Sequence, residues 1–423
     1  MQTVSLPYGK SSLALDLRHH PHSLVLEPRP SLSLENPLER VREALRAPMG
    51  TAPLVAMLNE KKPRNVVVVV NDETRPTPYE VFFPPLLESF REAGIGDDQV
   101  TFLIATGLHA PHSHALNESV FGAEMARRFR FVSHEADDED SLCDMGVLSS
   151  GLRLRINRLA VDADFLITLG VVMPHYFAGF SGGRKSILPG IAGRESIENN
   201  HARMVDLVDN LPELRSNPLS LEMIEAARRL GVDFICNAVL ADDLSIVGIF
   251  AGDLEEAWYA AADAAASVYD VPFARQADIC IISASGYPRD VNAYQAQKAL
   301  DHADRVTRKG GTIVLVAACE KGLGGKTFEE WLSLGLSPQG IIDRIQTHFV
   351  MGGHKAYGYA KVARDKKVLL VSSLTEEVTQ RLFATKLNDL QAFYDTSIAK
   401  APETSVIIIP EGGITHPCLR ASS

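Results

Sequence analysis

The sequence predicts an α/β fold: two α/β domains with mostly parallel sheets and an active site in the cleft between them. Three observations predict it. Short, continuous β-branched and aliphatic runs recur at 65–70 (NVVVVV), 100–105, 165–170, 279–283, 312–317, 368–372 and 406–409. Runs of this kind suit strands buried on both faces, as in parallel sheets. Amphipathic stretches lie between them, and the chain of 423 residues exceeds one typical domain.

The elements follow in order. NVVVVV is the first strand, and PPLLESFREAG (84–94) reads as a helix stopped by its glycine. VTFLIA and FLITLG continue the alternation, then SLEMIEAARRLG (220–231) and DLEEAWYAAADAAASVY (253–269) read as helices. The alanine-rich helix ends near VPFARQAD (271–278), where a boundary is expected. Residues 1–272 form an N-terminal domain and 273–400 a C-terminal one, while 401–423 fits either. In open α/β sheets chemistry sits at the carboxyl ends of strands, and clefts between domains are common ligand sites.

Composition excludes several classes. The chain is 46% apolar and 22% charged, as in ordinary globular proteins, and its net charge is −11. An acidic chain argues against nucleic-acid or membrane-surface partners. Cys143, Cys236, Cys280, Cys319 and Cys418 form no C-x-x-C pair and are odd in number. A disulfide framework or a cysteine-rich zinc site is not expected, and a reducing compartment is. MQTVSLPYGK has no apolar core of a signal peptide, and VVVVV is too short to span a bilayer. The expected location is cytoplasmic.

Chemistry concentrates after strands. NDETRPTP (71–78) follows NVVVVV, so Asp72, Thr74 and Arg75 stand at a strand end. They cap the turn, or Arg75 binds an anion with its planar fork and Asp72 orients a histidine or arginine. ATGLHAPHSHA (105–115) follows the next strand, and His109 at its glycine turn is the candidate general base. His112 and His114 read as a solvated helix start, and H-x-x-H-x-H is not a zinc spacing. PHYFAGFSGGRK (174–185) brings His175, Gly182, Gly183 and Lys185 into one glycine-rich turn. Such a turn cradles anions without being a Walker motif, and its lysine is either a charge or a covalent anchor. His201, in RESIENNHARMVD, is a satisfied helical histidine or a ligand. In SGYPRDVNAYQAQKAL, Tyr294 and Lys298 are four apart and Gln295 and Lys298 three apart, so one helix face carries them. That face is an ordinary amphipathic surface or a carboxylate grip.

In combination and in this order, DETRP, TGLH, PHYFAGFSGGRKSILPG, NNH and GYPRDVNAYQAQK resemble the nickel-dependent lactate racemase family over most of the chain. The resemblance implies a racemase or epimerase of 2-hydroxy acids carrying a nickel-pincer nucleotide, with the cofactor-making enzymes as partners. It implies that Lys185 attaches the cofactor through a thioamide and His201 ligates nickel. His109 and His175 exchange the hydroxyl proton while hydride moves to the cofactor and back. Arg75 and Lys298 hold the carboxylate, Asp72 orients His109, and Tyr294 and Gln295 line the pocket. Asp72, Thr74, Gly182 and Gly183 are expected near the cofactor. Lactate-acting members carry a tryptophan aligned here with His354, which opens the substrate to malate, aromatic, longer aliphatic or sugar acids. Tyr287 and Arg289 are candidates for the variable end. Two other readings remain: a nicotinamide-dependent 2-hydroxy acid oxidoreductase, although no G-x-G-x-x-G follows a strand, and a non-catalytic protein that binds the nickel nucleotide.

Overall fold

The computed structural model describes residues 3–18, 23–28, 31–207 and 212–419. The described residues of 31–268 form one compact unit, and those of 1–30 and 269–423 form the other. The division lies close to the expected boundary at 272, but the N-terminal residues belong with the second half of the chain. Pairing explains this. Leu24–Val25 lies parallel to Val406–Ile409. The hairpin Thr3–Tyr8/Ser11–Asp16 shares a core with Ile279, Ile281, Val314 and Val316 through Val4, Leu6 and Leu15. Its strands alternate polar and apolar residues, so no continuous run marked them. The segment from 401, open from sequence, adds Val406–Ile409 and His416–Leu419 to the same unit.

The sheet of the 31–268 unit runs Ile246–Gly252, Phe234–Leu240, Phe165–Val171, Val66–Asn71, Val100–Ala105, Arg130–Ser133. All neighbours are parallel except the first pair, a hairpin. The strands 66–71, 100–105 and 165–171 lie where the sequence runs placed them. Strand order reverses beside Val66–Asn71: the chain steps outward to 100–105 and 130–133, then returns to its other side at 165–171. Ligands collect at such a reversal, outside the carboxyl ends of the strands.

The helix expected from residue 84 runs Tyr79–Glu92, with Pro84 and Pro85 inside it. Tyr79, Phe82, Phe83, Leu86 and Phe90 are buried on one helical face, each lying three or four residues from another on the next turn. This packing outweighs the backbone hydrogen bonds the prolines forgo.

The second unit's sheet runs Thr385–Lys386, Lys367–Val371, Thr307–Val316, Ala277–Ser283, Val406–Ile409, Leu24–Val25, all parallel. It reverses beside Ala277–Ser283. The loop after that strand leads into the helix Ala293–Val306, whose Asn292 cap accepts the Gln295 N–H at 2.9 Å. Among the described residues no helix is long and apolar enough to cross a membrane.

Candidate active site

Three adjacent strands of the first sheet deliver three loops to one edge. Val66–Asn71 ends at Asp72, which is buried (3% exposed). Asp72 Oδ2 lies 2.6 Å from His109 Nδ1, and Asp72 Oδ1 accepts from Thr74 Oγ1 at 2.6 Å. Arg75 Nη1 donates to Thr74 Oγ1 at 3.0 Å. The sequence-predicted trio is therefore one hydrogen-bonded group that reaches His109. Burial raises the Asp72 pKa, but the bonds from His109 and Thr74 win and hold it below the ordinary carboxylate value. The same bond from Asp72 raises the His109 pKa, against the opposing effect of burial.

His109 follows Val100–Ala105 through a turn whose Gly107 has φ +55°. The Gly107 N–H donates to Gly190 O at 2.9 Å, and the Gly190 N–H donates to Lys185 O at 3.0 Å. Backbone thus ties the His109 turn to the glycine-rich loop. His112 departs from expectation: its side chain is fully buried. It reaches Glu73 Oε2 at 2.6 Å and Asn117 Oδ1 at 3.0 Å, and so anchors the Asp72 loop. His114 is exposed at the helix start, as expected.

The third loop follows Phe165–Val171. Pro174–His175 pairs with Gly179–Phe180 as a tight hairpin. Phe177, at its tip, organises the site. Its ring lies 4.4 Å from the His175 ring, 4.9 Å from the His201 ring and 5.2 Å from Lys185 Nζ. One phenyl group therefore gathers the three residues that the sequence holds within 27 positions. Burial, with the neighbouring cations Arg184 and Arg75, pushes the Lys185 pKa well below the usual lysine value. His201 lies buried in the helix Arg194–Ala202, and its Nδ1–H donates to Ile197 O at 2.9 Å. The lone pair then sits on Nε2, the form a metal takes. Burial and then Lys185 lower its pKa to about 3, so the ring is neutral.

Gly182 and Gly183 have φ +75° and +46°. A Cβ on Gly182 would meet Val172 Cγ2 at 2.6 Å and Asn237 Oδ1 at 2.8 Å. The sequence reading missed what supports this turn. Arg184 is fully buried, donates to Ala178 O at 2.9 Å and Phe180 O at 3.0 Å, and stacks 3.4 Å from the Trp258 ring. Trp258 Nε1 in turn donates to Ser181 O at 2.9 Å. Arg184 stood inside the quoted motif, but carbonyl partners leave no side-chain signature.

In the second unit, Tyr294, Gln295 and Lys298 occupy the first turns of the helix Ala293–Val306, with Lys298 exposed. His354 opens the helix Gly353–Asp365, and its ring lies 6.3 Å from that of Tyr294. Lys355 was missed. Its Nζ donates to Gln297 Oε1 at 2.7 Å and lies 5.3 Å from the Tyr294 ring. Burial and Lys298 lower its pKa to about 7. Tyr287 is 54% exposed on the loop before this helix, 5.4 Å from Lys10 Nζ, and Arg289 shares that loop.

Residues 8–210 match the lactate racemase N-terminal domain, and residues 273–415 match the lactate racemase C-terminal domain. A lactate racemase of Thermoanaerobacterium thermosaccharolyticum is 34% identical, over 97% of this chain and 98% of its own. One of Lactiplantibacillus plantarum is 33% identical, over 97% and 99%. The structure of the T. thermosaccharolyticum lactate racemase apoprotein superposes with a TM-score of 0.89 at 32% identity, over 98% of this chain and 100% of that one. A Thermotoga maritima protein, 20% identical with a TM-score of 0.67, shares the fold over 92% of this chain and 100% of its own. With both domains matched and two relatives aligned end to end, the chain belongs to the lactate racemase family and is an isomerase, a racemase.

Proposed function

We propose that this protein racemises or epimerises a 2-hydroxy acid using a nickel-pincer nucleotide held on Lys185. The observation that carries the reading is the grouping on Phe177 of His175, Lys185 and His201. The residues fit that group by their chemistry. Lys185, desolvated, is a nucleophilic amine suited to a covalent tether. His201, with Nδ1 engaged, presents Nε2 as the one imidazole donor nickel takes beside soft ligands. Gly182 and Gly183 give the group backbone clearance, and Asp72 and Thr74 stand on the neighbouring loop. When bound, the cofactor supplies a hydride acceptor and donor.

The chain's own residues do the remaining work. His109 gives its Nδ1–H to Asp72, so Nε2 takes the hydroxyl proton of one stereoisomer and, in the reverse direction, supplies it. His175 is the second acid/base, because the two stereoisomers present the hydroxyl proton differently. Arg75 and Lys298 hold the carboxylate, and Tyr294 and Gln295 orient it. Retained carboxylate contacts keep the 2-keto acid in place while it turns over.

The relatives carry lactate in their names, so lactate is the first substrate to test. His354, beside Tyr294, makes this pocket more polar than a tryptophan would. Malate, aromatic, longer aliphatic and sugar acids therefore belong in the same panel.

The deciding experiment is an intact mass with nickel analysis, on protein co-expressed with the cofactor-making enzymes. A nucleotide-sized adduct on Lys185, about one nickel per chain and loss of optical activity of a 2-hydroxy acid are expected. An unmodified, nickel-free chain that oxidises the acid with a nicotinamide would replace this reading with an oxidoreductase. A loaded chain without turnover would make it a binding protein.

A further inference from the structure

The strand Asp270–Phe273 pairs in parallel with His416–Leu419, Asp270 facing His416 and Pro272 facing Cys418. His416 and Cys418, two apart on a strand, project from one face. Asp270 Oδ1 lies 2.7 Å from His416 Nδ1, and Cys418 Sγ lies 3.6 Å from the same nitrogen. One donor atom from each residue falls within 4.8 Å of the others. The His416 and Asp270 side chains are 19% and 17% exposed, so an ion from solvent can reach them.

We propose that Asp270, His416 and Cys418 bind a divalent cation of borderline softness, of the zinc class, at a site sharing no residue with the histidine–lysine site. A thiolate, an imidazole and a carboxylate are the donor types such an ion takes. Tetrahedral bonds of about 2.0–2.3 Å set donors about 3.3–3.6 Å apart. The sulfur–nitrogen pair already has that spacing. The carboxylate has only to back off slightly, or to turn its second oxygen in. A fourth position remains for water. Binding releases one proton from the Cys418 thiol and leaves the His416 ring neutral, with its proton moved from Nδ1 to Nε2.

Arg305 opposes the ion. Its Nη1 donates to His416 Nε2 at 2.7 Å, which keeps the ring proton on Nδ1, facing Asp270. When the ion takes Nδ1, the guanidinium has to leave Nε2. Arg305 therefore sets the affinity, and the ion replaces one hydrogen bond by a clip between the two strands. His302, whose ring lies 5.8 Å from that of His416, gives its Nδ1–H to Gly412 O at 2.8 Å and stays outside the donor set.

The test titrates Co²⁺ into the reduced, full-length protein made without cofactor. The histidine–lysine site contains no cysteine, so a sulfur-to-cobalt charge-transfer band in the near ultraviolet reports Cys418. A band saturating at about one ion per chain, and displaced by Zn²⁺, is expected. It persists in His201→Ala and Cys143→Ser and is lost in Cys418→Ser. Asp270→Asn weakens binding by about tenfold or more, and Arg305→Met tightens it. Absence of the band in the unaltered protein overturns the proposal, as does a band that survives in folded Cys418→Ser. Should Cys418→Ser fail to fold, unchanged affinity in Asp270→Asn overturns it.

Discussion

At the residue scale, the pair Asp72–His109 sets a pH dependence whose sign is fixed. The bond from Asp72 raises the His109 pKa above 6.5. The stability this pair contributes is complete below that value and fades as pH rises through the folded pKa. For the activity proposed the sense is opposite, because a base must be neutral: the acidic limb of kcat/KM is expected above 6.5. In Asp72→Asn the raising partner goes while the lowering effect of burial stays, so that limb moves to lower pH. A pH profile, with an NMR titration of the His109 ring, checks this; an unmoved limb removes His109 as the base. On the proposed mechanism His109→Ala and His175→Ala are each expected to cost about 10²–10⁴ in rate yet keep a full-mass adduct, and Lys185→Ala is expected to lose the adduct itself. Full turnover in both histidine variants would sink the two-base mechanism.

At the scale of elements, the turn after Phe165–Val171 depends on conformations only glycine adopts cheaply. Gly182→Ala must place a methyl 2.6 Å from Val172 Cγ2 at φ +75°, a cost of about 1–3 kcal/mol. The turn is expected to lose its register and the chain its ability to retain nickel, read by metal analysis; a normal load would show that the turn does not shape the site. Arg184→Lys keeps the charge but cannot span two carbonyls, Ser220 and Trp258 together. Lost hydrogen bonds of this kind cost about 1–3 kcal/mol, measurable by urea unfolding. These loops also show what a sequence reveals. His109, His175 and Lys185 were singled out because their motifs follow strand ends, and His201 because it follows Lys185 closely in a helix. Phe177 was not, since its role lies in what it touches. Arg184 and His112 were not, since one binds backbone carbonyls and the other a glutamate 39 positions away. The strand Phe234–Leu240, buried throughout, was not marked, since Asn237 breaks its apolar run at the centre.

At the scale of the whole molecule, the chain closes its second unit with its own beginning. Val4, Leu6, Leu15 and Leu17 are at most 3% exposed and belong to the core of Ile279, Ile281, Val314 and Ile408. Burying four such side chains contributes about 6–12 kcal/mol as an upper bound. The loop-closure entropy of bringing them back across some 250 residues grows only with the logarithm of that length. Gly9 adds a polar lock: its N–H donates to Asp290 Oδ2 at 2.7 Å, and the same oxygen accepts from Ala318 N–H at 2.9 Å. Asp290 lies on the loop that leads to Tyr294 and Lys298, so the first hairpin supports the proposed carboxylate-binding helix as well as the core. Deleting residues 1–18 should therefore expose amides of Ala277–Ser283 and Thr307–Val316 to hydrogen exchange and lower the melting temperature. It should also raise KM for the hydroxy acid more than it reduces the nickel load, because Lys185 and His201 belong to the other unit. Unchanged protection in those two strands would mean that the hairpin decorates the unit without completing it.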